Sequence, residues 1–280
     1  MGLFNRGTVV PVLRLSGAIG MAAPLRPGLS IASLAGPIEK AFSMSKAQSV
    51  AVVINSPGGS PVQSSLLFRR MRQLADEKGK KIYVFCEDVA ASGGYYLAIA
   101  GDEIYADASS IVGSIGVISA SFGLDRAIEK LGITRRVYTA GTNKGALDPF
   151  QPEKPEEIER LKAIQRNVHD VFIGVVKDRR LGRLKGPDSE LFSGAFWSAM
   201  EALELGLIDG ISDVRTKMRE LHGENVRLRV VPMERGWFAG RFRKLPSVFG
   251  GLGSEGQGLA FADDLVSAVE IRALWSRFGL

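Results

Sequence analysis

Cysteine is nearly missing from this 280-residue chain, with Cys86 alone. A single thiol forms no internal disulfide and builds no cysteine-ligated metal centre. It ends the apolar run Ile82-Tyr83-Val84-Phe85-Cys86 and reads as a buried, inert thiol. Histidine is almost as scarce. His169 lies in a long helical stretch and His222 near a basic surface segment, so neither is placed to serve a nucleophile as the commonest general base. No run of about 18 apolar residues occurs, so no transmembrane helix is predicted. Met1 to Arg6 carries a single charged side chain, and Val9 to Leu15 is interrupted by Pro11 and Arg14. Neither stretch reads as a signal peptide, and the expected location is cytoplasmic. No metal or organic cofactor and no nucleic-acid partner is expected.

The net charge of +6 is modest, and its weight falls late, from Arg215 to Lys244. That stretch reads as a solvated face, with peripheral contact to an anionic lipid surface as the alternative. The 45% of hydrophobic residues suffices for an α/β core in one domain.

Those residues fall in a regular order. Val50-Ala51-Val52-Val53-Ile54 is a continuous apolar run, as a strand buried on both faces requires. Asn55-Ser56-Pro57-Gly58-Gly59-Ser60-Pro61 follows as a turn, and Val62 to Glu77 has helical spacing. Lys81 to Cys86 is a second buried strand, Asp88 to Gly94 a second Gly-rich turn, and Tyr95 to Ala100 a short helical turn. Val9 to Leu15, Glu103 to Ala106, Ser114 to Ser119 and Arg135 to Tyr138 read as further strands. Ser30 to Met44, Leu124 to Leu131, Glu153 to Val176 and Phe192 to Leu207 read as helices. Strands alternating with helices imply α/β with a largely parallel sheet. Past about residue 214 the composition changes. Arg227 to Val231 alternates like an edge strand, 236–258 reads as a linker, and Phe261 to Phe278 as an amphipathic helix. The expected division is 1–213 as the main domain and 214–280 as a basic tail.

Two Gly-rich turns at strand ends carry the chemistry. Adjacent glycines at Gly58 and Gly59 let the backbone turn sharply and point N–H groups outward, where they bind an anion or a developing oxyanion. Alone, such a turn is more often purely structural. In Ala90-Ala91-Ser92-Gly93-Gly94, a serine with small neighbours stands between a strand and a short helix. That is the layout of a nucleophile on a tight turn, against the simpler reading of an N-cap serine. The two turns together favour the nucleophile. With neither histidine well placed, a lysine can serve as the base if burial lowers its pKa and leaves a neutral amine. Spacing alone does not choose among the lysines.

The ordered set Asn55-Ser56-Pro57-Gly58-Gly59, Ala91-Ser92-Gly93-Gly94-Tyr95-Tyr96 and Gly113-Ser114-Ile115-Gly116-Val117 resembles the signatures of the signal peptide peptidase A (SppA) family over roughly residues 9 to 213. The resemblance implies a Clp/crotonase-type fold, a repeated β-β-α superhelix. It implies a serine peptidase with Ser92 as nucleophile, and Thr142 to Pro149 resembles the loop that carries the family lysine, here Lys144. The 52 residues between Ser92 and Lys144 agree with the family pattern. By the same resemblance Ser114 orients the lysine, and the N–H groups of Gly59 and Gly93 form the oxyanion hole. Fold analogy implies an extended peptide bound along Gly59 to Val62 and Ile115 to Ile118, touching Gly58, Ser60, Ile115, Gly116 and Val117. The implied substrates are signal-peptide-like or other apolar peptides, and the implied assembly is a homo-oligomer. Two other classes stay open. One is a crotonase-class acyl-CoA enzyme, which needs no Ser92 turn. The other is a non-catalytic membrane scaffold using the Phe- and Arg-rich tail. A histidine-based Clp protease is weaker, because no histidine lies between Ser92 and Lys144.

Overall fold

The computed structural model describes residues 7–21, 28–233, 269 and 271–280. Strand β1 (Val9–Ser16) leads through α1 (Ile31–Ser43) to β2 (Ser49–Ser56), α2 (Pro61–Lys78), β3 (Lys81–Ala91) and α3 (Gly93–Ala98). Then come β4 (Glu103–Ala106), β5 (Ile111–Gly113), α4 (Asp125–Lys130), α5 (Pro155–Arg179) and α6 (Asp188–Leu191). The remaining elements are β6 (Phe196–Ser198), α7 (Ala199–Glu204), β7 (Gly210–Ile211), α8 (Val214–His222) and β8 (Arg227–Val230). The architecture is mixed α/β, as the alternation implies. The strands join one sheet in the order β6-β5-β3-β2-β1-β8, with β4 and β7 branching from β3. All pairings are parallel except β5 with β6.

The run Val50 to Ile54 explains itself once its two faces are separated. Val50, Val52 and Ile54 enter the main core with Leu34, Ile38 and Phe42 of α1 and Leu67 and Met71 of α2. Ala51 and Val53 enter a smaller core on the other face, with Val12, Phe85 and Met218 of α8. Burying each large aliphatic or aromatic side chain contributes about 1.5–3 kcal/mol, so a strand buried on both faces has no polar position to spare. Ser60 caps α2 and Pro61 opens it, which ends the β2 turn at a fixed place.

Helix α5 is buried toward one end only. Phe172 and Val176 are buried. Arg179 donates to the carbonyls of Ile99 (2.9 Å) and Gly101 (2.8 Å). The buried Arg180 pairs with Asp209 at 2.8 Å and donates to Gly206 O at 2.7 Å. These bonds dock the C-terminal half of α5 on the loop after α3 and on the stretch between α7 and β7. Its N-terminal half receives the chain from segment 118–154, in which no residue is buried.

Three sequence expectations are corrected. The strand expected over Ser114 to Ser119 does not form: the short β5 precedes it, and Gly113 (φ 111°) and Ser114 (φ 53°) leave extended geometry and end the ladder. Arg135 to Tyr138 has strand-like residues but pairs with no strand among those described, so it stays irregular and exposed. The expected helix Phe192 to Leu207 is split, since Ser198 and Glu201 form a capping box that starts α7 only at Ala199. Val62 lies in the first turn of α2, in line with the helical spacing read from Val62 onward. Past residue 213, α8 forms where no helix was expected, and β8 pairs with β1 at the sheet edge. The expected linker 236–258 and most of the expected helix Phe261 to Phe278 lie outside the described residues. The final turns place Trp275 and Phe278 against Val89, Ala91 and Ile111.

Candidate active site

At the end of β3 the backbone turns over Ser92 with φ 52° and ψ −119°. Only three non-glycine residues among those described have positive φ: Ser92, Ser114 and Leu147. Holding a side-chain-bearing residue there costs about 1–3 kcal/mol and persists only where the surroundings enforce it. Here the Ser92 N–H donates to Gly113 O at 2.8 Å, and the Ser92 carbonyl accepts from Tyr96 N–H at 2.9 Å. Ser92 occupies the N-cap position of α3, yet its side chain makes no capping bond. The capping reading of this serine is therefore set aside.

The two glycine turns touch. A Cβ on Gly58 would lie 2.8 Å from Ser92 Cβ, and one on Gly93 would lie 3.3 Å from the Gly59 nitrogen. A Cβ on Gly59 would lie 2.1 Å from the Ile19 carbonyl oxygen, so glycine is required at that approach. The N–H groups of Gly59 and Gly93 make no hydrogen bond among the described residues. Two unpaired donors beside one serine are uncommon in a folded chain. They suit an oxygen that gains negative charge next to Ser92.

The pocket in front of Ser92 is small, about 60 Å³, and is walled by Tyr96, Gly116, Val117, Val168, Val171 and Phe172. Gly116 and Val117, two of the residues expected to touch substrate, line this pocket. Ile115 is buried in the main core. Gly58 O accepts from Ile19 N–H, and Ser60 N–H donates to Ile19 O. On that side Ile19 already holds the backbone edge. Ser114 is buried, its N–H donates to Ala195 O at 2.7 Å, and its hydroxyl makes no hydrogen bond among the described residues. The pairing of Ala91 with Gly113 brings Ser114 to the same sheet end as Ser92.

Lys144 is not brought to this group. It lies on an exposed turn, its N–H donates to Gly141 O at 3.2 Å, and its amine makes no hydrogen bond or ion pair among the described residues. In the same segment, 118–154, Ile118, Phe122, Leu131, Ile133, Val137 and Tyr138 are exposed, Phe122 to 83% and Tyr138 to 91%.

Burial pushes the Cys86 thiol up to about 12, which keeps it neutral and unreactive. Among the described residues no cluster of three or more His, Cys, Asp or Glu side chains is arranged to hold a metal. One contact near the site had no signal in the sequence. His169 Nε2 donates to Ile115 O at 3.0 Å across 54 residues, tying α5 to the segment that follows Ser114.

The chain matches the model of peptidase family S49 over residues 75–227. It is 31% identical to the chloroplastic serine protease SPPA of Arabidopsis thaliana over 86% of this chain and 38% of that protein. It is 30% identical to Protease 4 of Haemophilus influenzae over 62% of this chain and 28% of that protein. A Brucella abortus protein named Na(+)/H(+) antiporter NhaA is 54% identical over 98% of this chain and 37% of its own length. The transport activity in that name stays with that protein. Among this chain's described residues no helix is long and apolar enough to cross a membrane. The chain spans less than two-fifths of the length of these three relatives. A solved structure of a membrane-bound stomatin-specific protease has a TM-score of 0.52 at 14% identity, over 81% of this chain and 99% of that one, which is a likeness of fold. With the family model covering more than half of its residues, including the Ser92 turn, the chain belongs to peptidase family S49.

Proposed function

We propose that the chain is a serine endopeptidase in which Ser92 attacks the peptide carbonyl and Lys144 takes the serine proton. The observation that carries this reading is the pair of unpaired N–H groups, Gly59 and Gly93, flanking a strained serine that caps nothing. The tetrahedral oxyanion accepts from both donors, each contributing about 3 kcal/mol to the transition state. The intermediate collapses to an acyl-enzyme, and the leaving amine takes the proton from Lys144. Water then attacks the ester and gives its proton to Lys144, and Lys144 passes a proton to Ser92 Oγ as the acid leaves, which restores the free amine and the hydroxyl. Ser114, with its free hydroxyl, orients the amine. The apolar pocket walls favour apolar side chains on an extended peptide, such as signal-peptide-like segments. The strand–helix succession β1-α1, β2-α2, β3-α3 supports a Clp/crotonase superhelix.

Lysine works as a base only when uncharged, which requires cover from water. In the single chain Lys144 has none. The apolar side chains exposed in its segment favour cover by a second copy, with Lys144 of one copy meeting Ser92 of another in a homo-oligomer. Peptide cleavage by Ser92→Ala and Lys144→Ala variants tests both parts. Each variant alone is expected to be inactive, and their mixture is expected to regain activity at interfaces that combine the intact residues. Wild-type cleavage by either variant overturns the dyad. An inactive mixture, with each variant folded and assembled, overturns delivery from a second copy.

A further inference from the structure

Helix α5 begins at Pro155 with Lys154 at its N-cap and no side-chain cap bond, because a lysine side chain has no acceptor to offer. A glutamate at the third helical position ordinarily reaches back to close a capping box with a serine or threonine. Glu157 has no such partner. Its carboxylate accepts instead from the Leu147 N–H at 2.8 Å and pairs with the Lys154 ammonium at 3.3 Å.

Leu147 is the third residue held at positive φ, at 59°. It stands three positions after Lys144, at the end of the same exposed turn. A leucine keeps this conformation only where something enforces it, and Glu157 supplies a bond to its N–H. The other side of the loop is tied as well. Asp148 accepts from Arg135 Nε at 3.0 Å and from Phe150 N–H at 3.1 Å, and the Arg135 guanidinium lies 4.6 Å from the centre of the Phe150 ring. The loop is exposed and yet internally braced.

We propose that Glu157 is a positioning residue for Lys144: by holding Leu147 in the left-handed conformation, it fixes the turn that presents the lysine to Ser92. The proposal rests on the Ser92–Lys144 reading above. The Leu147 N–H, and after it Lys154, hold the Glu157 carboxyl below the usual carboxylate range, so the acceptor stays ionised at working pH. Without this bond Leu147 relaxes to an ordinary conformation and the turn at Lys144 swings. Misplacing a reacting group by about 1 Å costs on the order of 100-fold in rate.

The test uses the full chain with Glu157→Ala, Glu157→Gln and Lys144→Ala, measuring kcat and KM for peptide cleavage alongside thermal unfolding. Glu157→Ala is expected to lower kcat by about 10- to 100-fold with KM unchanged within about twofold. Glu157→Gln keeps an acceptor oxygen and is expected to restore most of the loss. A Lys144→Ala variant with wild-type cleavage overturns the dyad reading itself. An inactive Lys144→Ala beside a Glu157→Ala with wild-type kcat overturns only the positioning role. Equal impairment of Glu157→Ala and Glu157→Gln also overturns it, as does a rate loss that merely follows the unfolded fraction. A second check places Glu157→Ala in a Leu147→Gly background, where the backbone needs no support. The cost of losing Glu157 is expected to shrink severalfold there, and an undiminished cost counts against the proposal.

Discussion

The sheet end around Ser92 and the segment 118–154 meet at Val117 and are built in opposite ways. Residues 93–101 are all buried, whereas none from 118 to 154 is. Around Ser92 the geometry is fixed by backbone: the bond to Gly113, the mutual contact of two glycine turns, and the Ala91–Gly113 register. Around Lys144 the fixed features are side-chain ties within an exposed loop, and the apolar surface faces outward. The difference separates two requirements of the proposed chemistry. Oxyanion donors need rigid placement, which one chain's backbone provides. An uncharged lysine needs exclusion of water, which this exposed segment does not provide for itself.

The largest expected effect breaks the nucleophile end. Ser92→Gly is expected to abolish cleavage by more than about 10³-fold. It is also expected to be more stable than Ser92→Ala by roughly 1 kcal/mol, because glycine adopts φ 52° without the penalty that alanine retains. Urea unfolding of the two variants measures the difference. Equal stabilities would show that no strain is stored at the nucleophile turn, leaving the two regions less unlike than they look.

The next effect probes the other region. Phe122→Glu together with Tyr138→Glu places charge on the most exposed apolar side chains of the segment. We expect self-association to weaken by at least about tenfold, read by light scattering, with cleavage falling in parallel and thermal stability nearly unchanged. A variant that is monomeric and fully active would refute the need for a second copy. It would leave closure of the segment over its own pocket as the way to cover the lysine.

Much of the built region was legible in the residues. The run Val50 to Ile54 could only be a strand covered on both faces, and the small-residue turn at Ser92 marked a backbone bend. What failed to show was set by partners distant in sequence. Arg135 to Tyr138 has strand-forming residues but pairs with no described strand. Helix α8 is amphipathic and charged, and its one fully buried residue, Met218, acquires meaning only against Val12 and Phe85 of other strands. The His169–Ile115 bond spans 54 residues, which no local pattern encodes. Lys144 was reached through family resemblance alone. Its surroundings in the chain are those of a surface lysine, so local physical reasoning had nothing to read.

The smallest expected effect concerns stability at the end of the built region away from Ser92. His222 Nε2 lies 3.0 Å from the Ser49 hydroxyl at the start of β2, with Lys46 and Arg229 lining the same hollow. Burial lowers its pKa below the ordinary value of about 6.5. As pH falls through that value the unfolded chain takes up the proton first, so stability is lost between about pH 6.5 and the lower folded-state pKa. The loss is complete below both, and small, because the ring is only partly covered. His222→Gln retains hydrogen-bonding groups and cannot titrate. Its fall in Tm between pH 7.5 and 5.5 is therefore expected to be smaller than that of the wild type, with cleavage at pH 7.5 unchanged. An identical fall in both proteins would assign the acid sensitivity elsewhere, with the carboxylates that brace segment 118–154 the next groups to substitute.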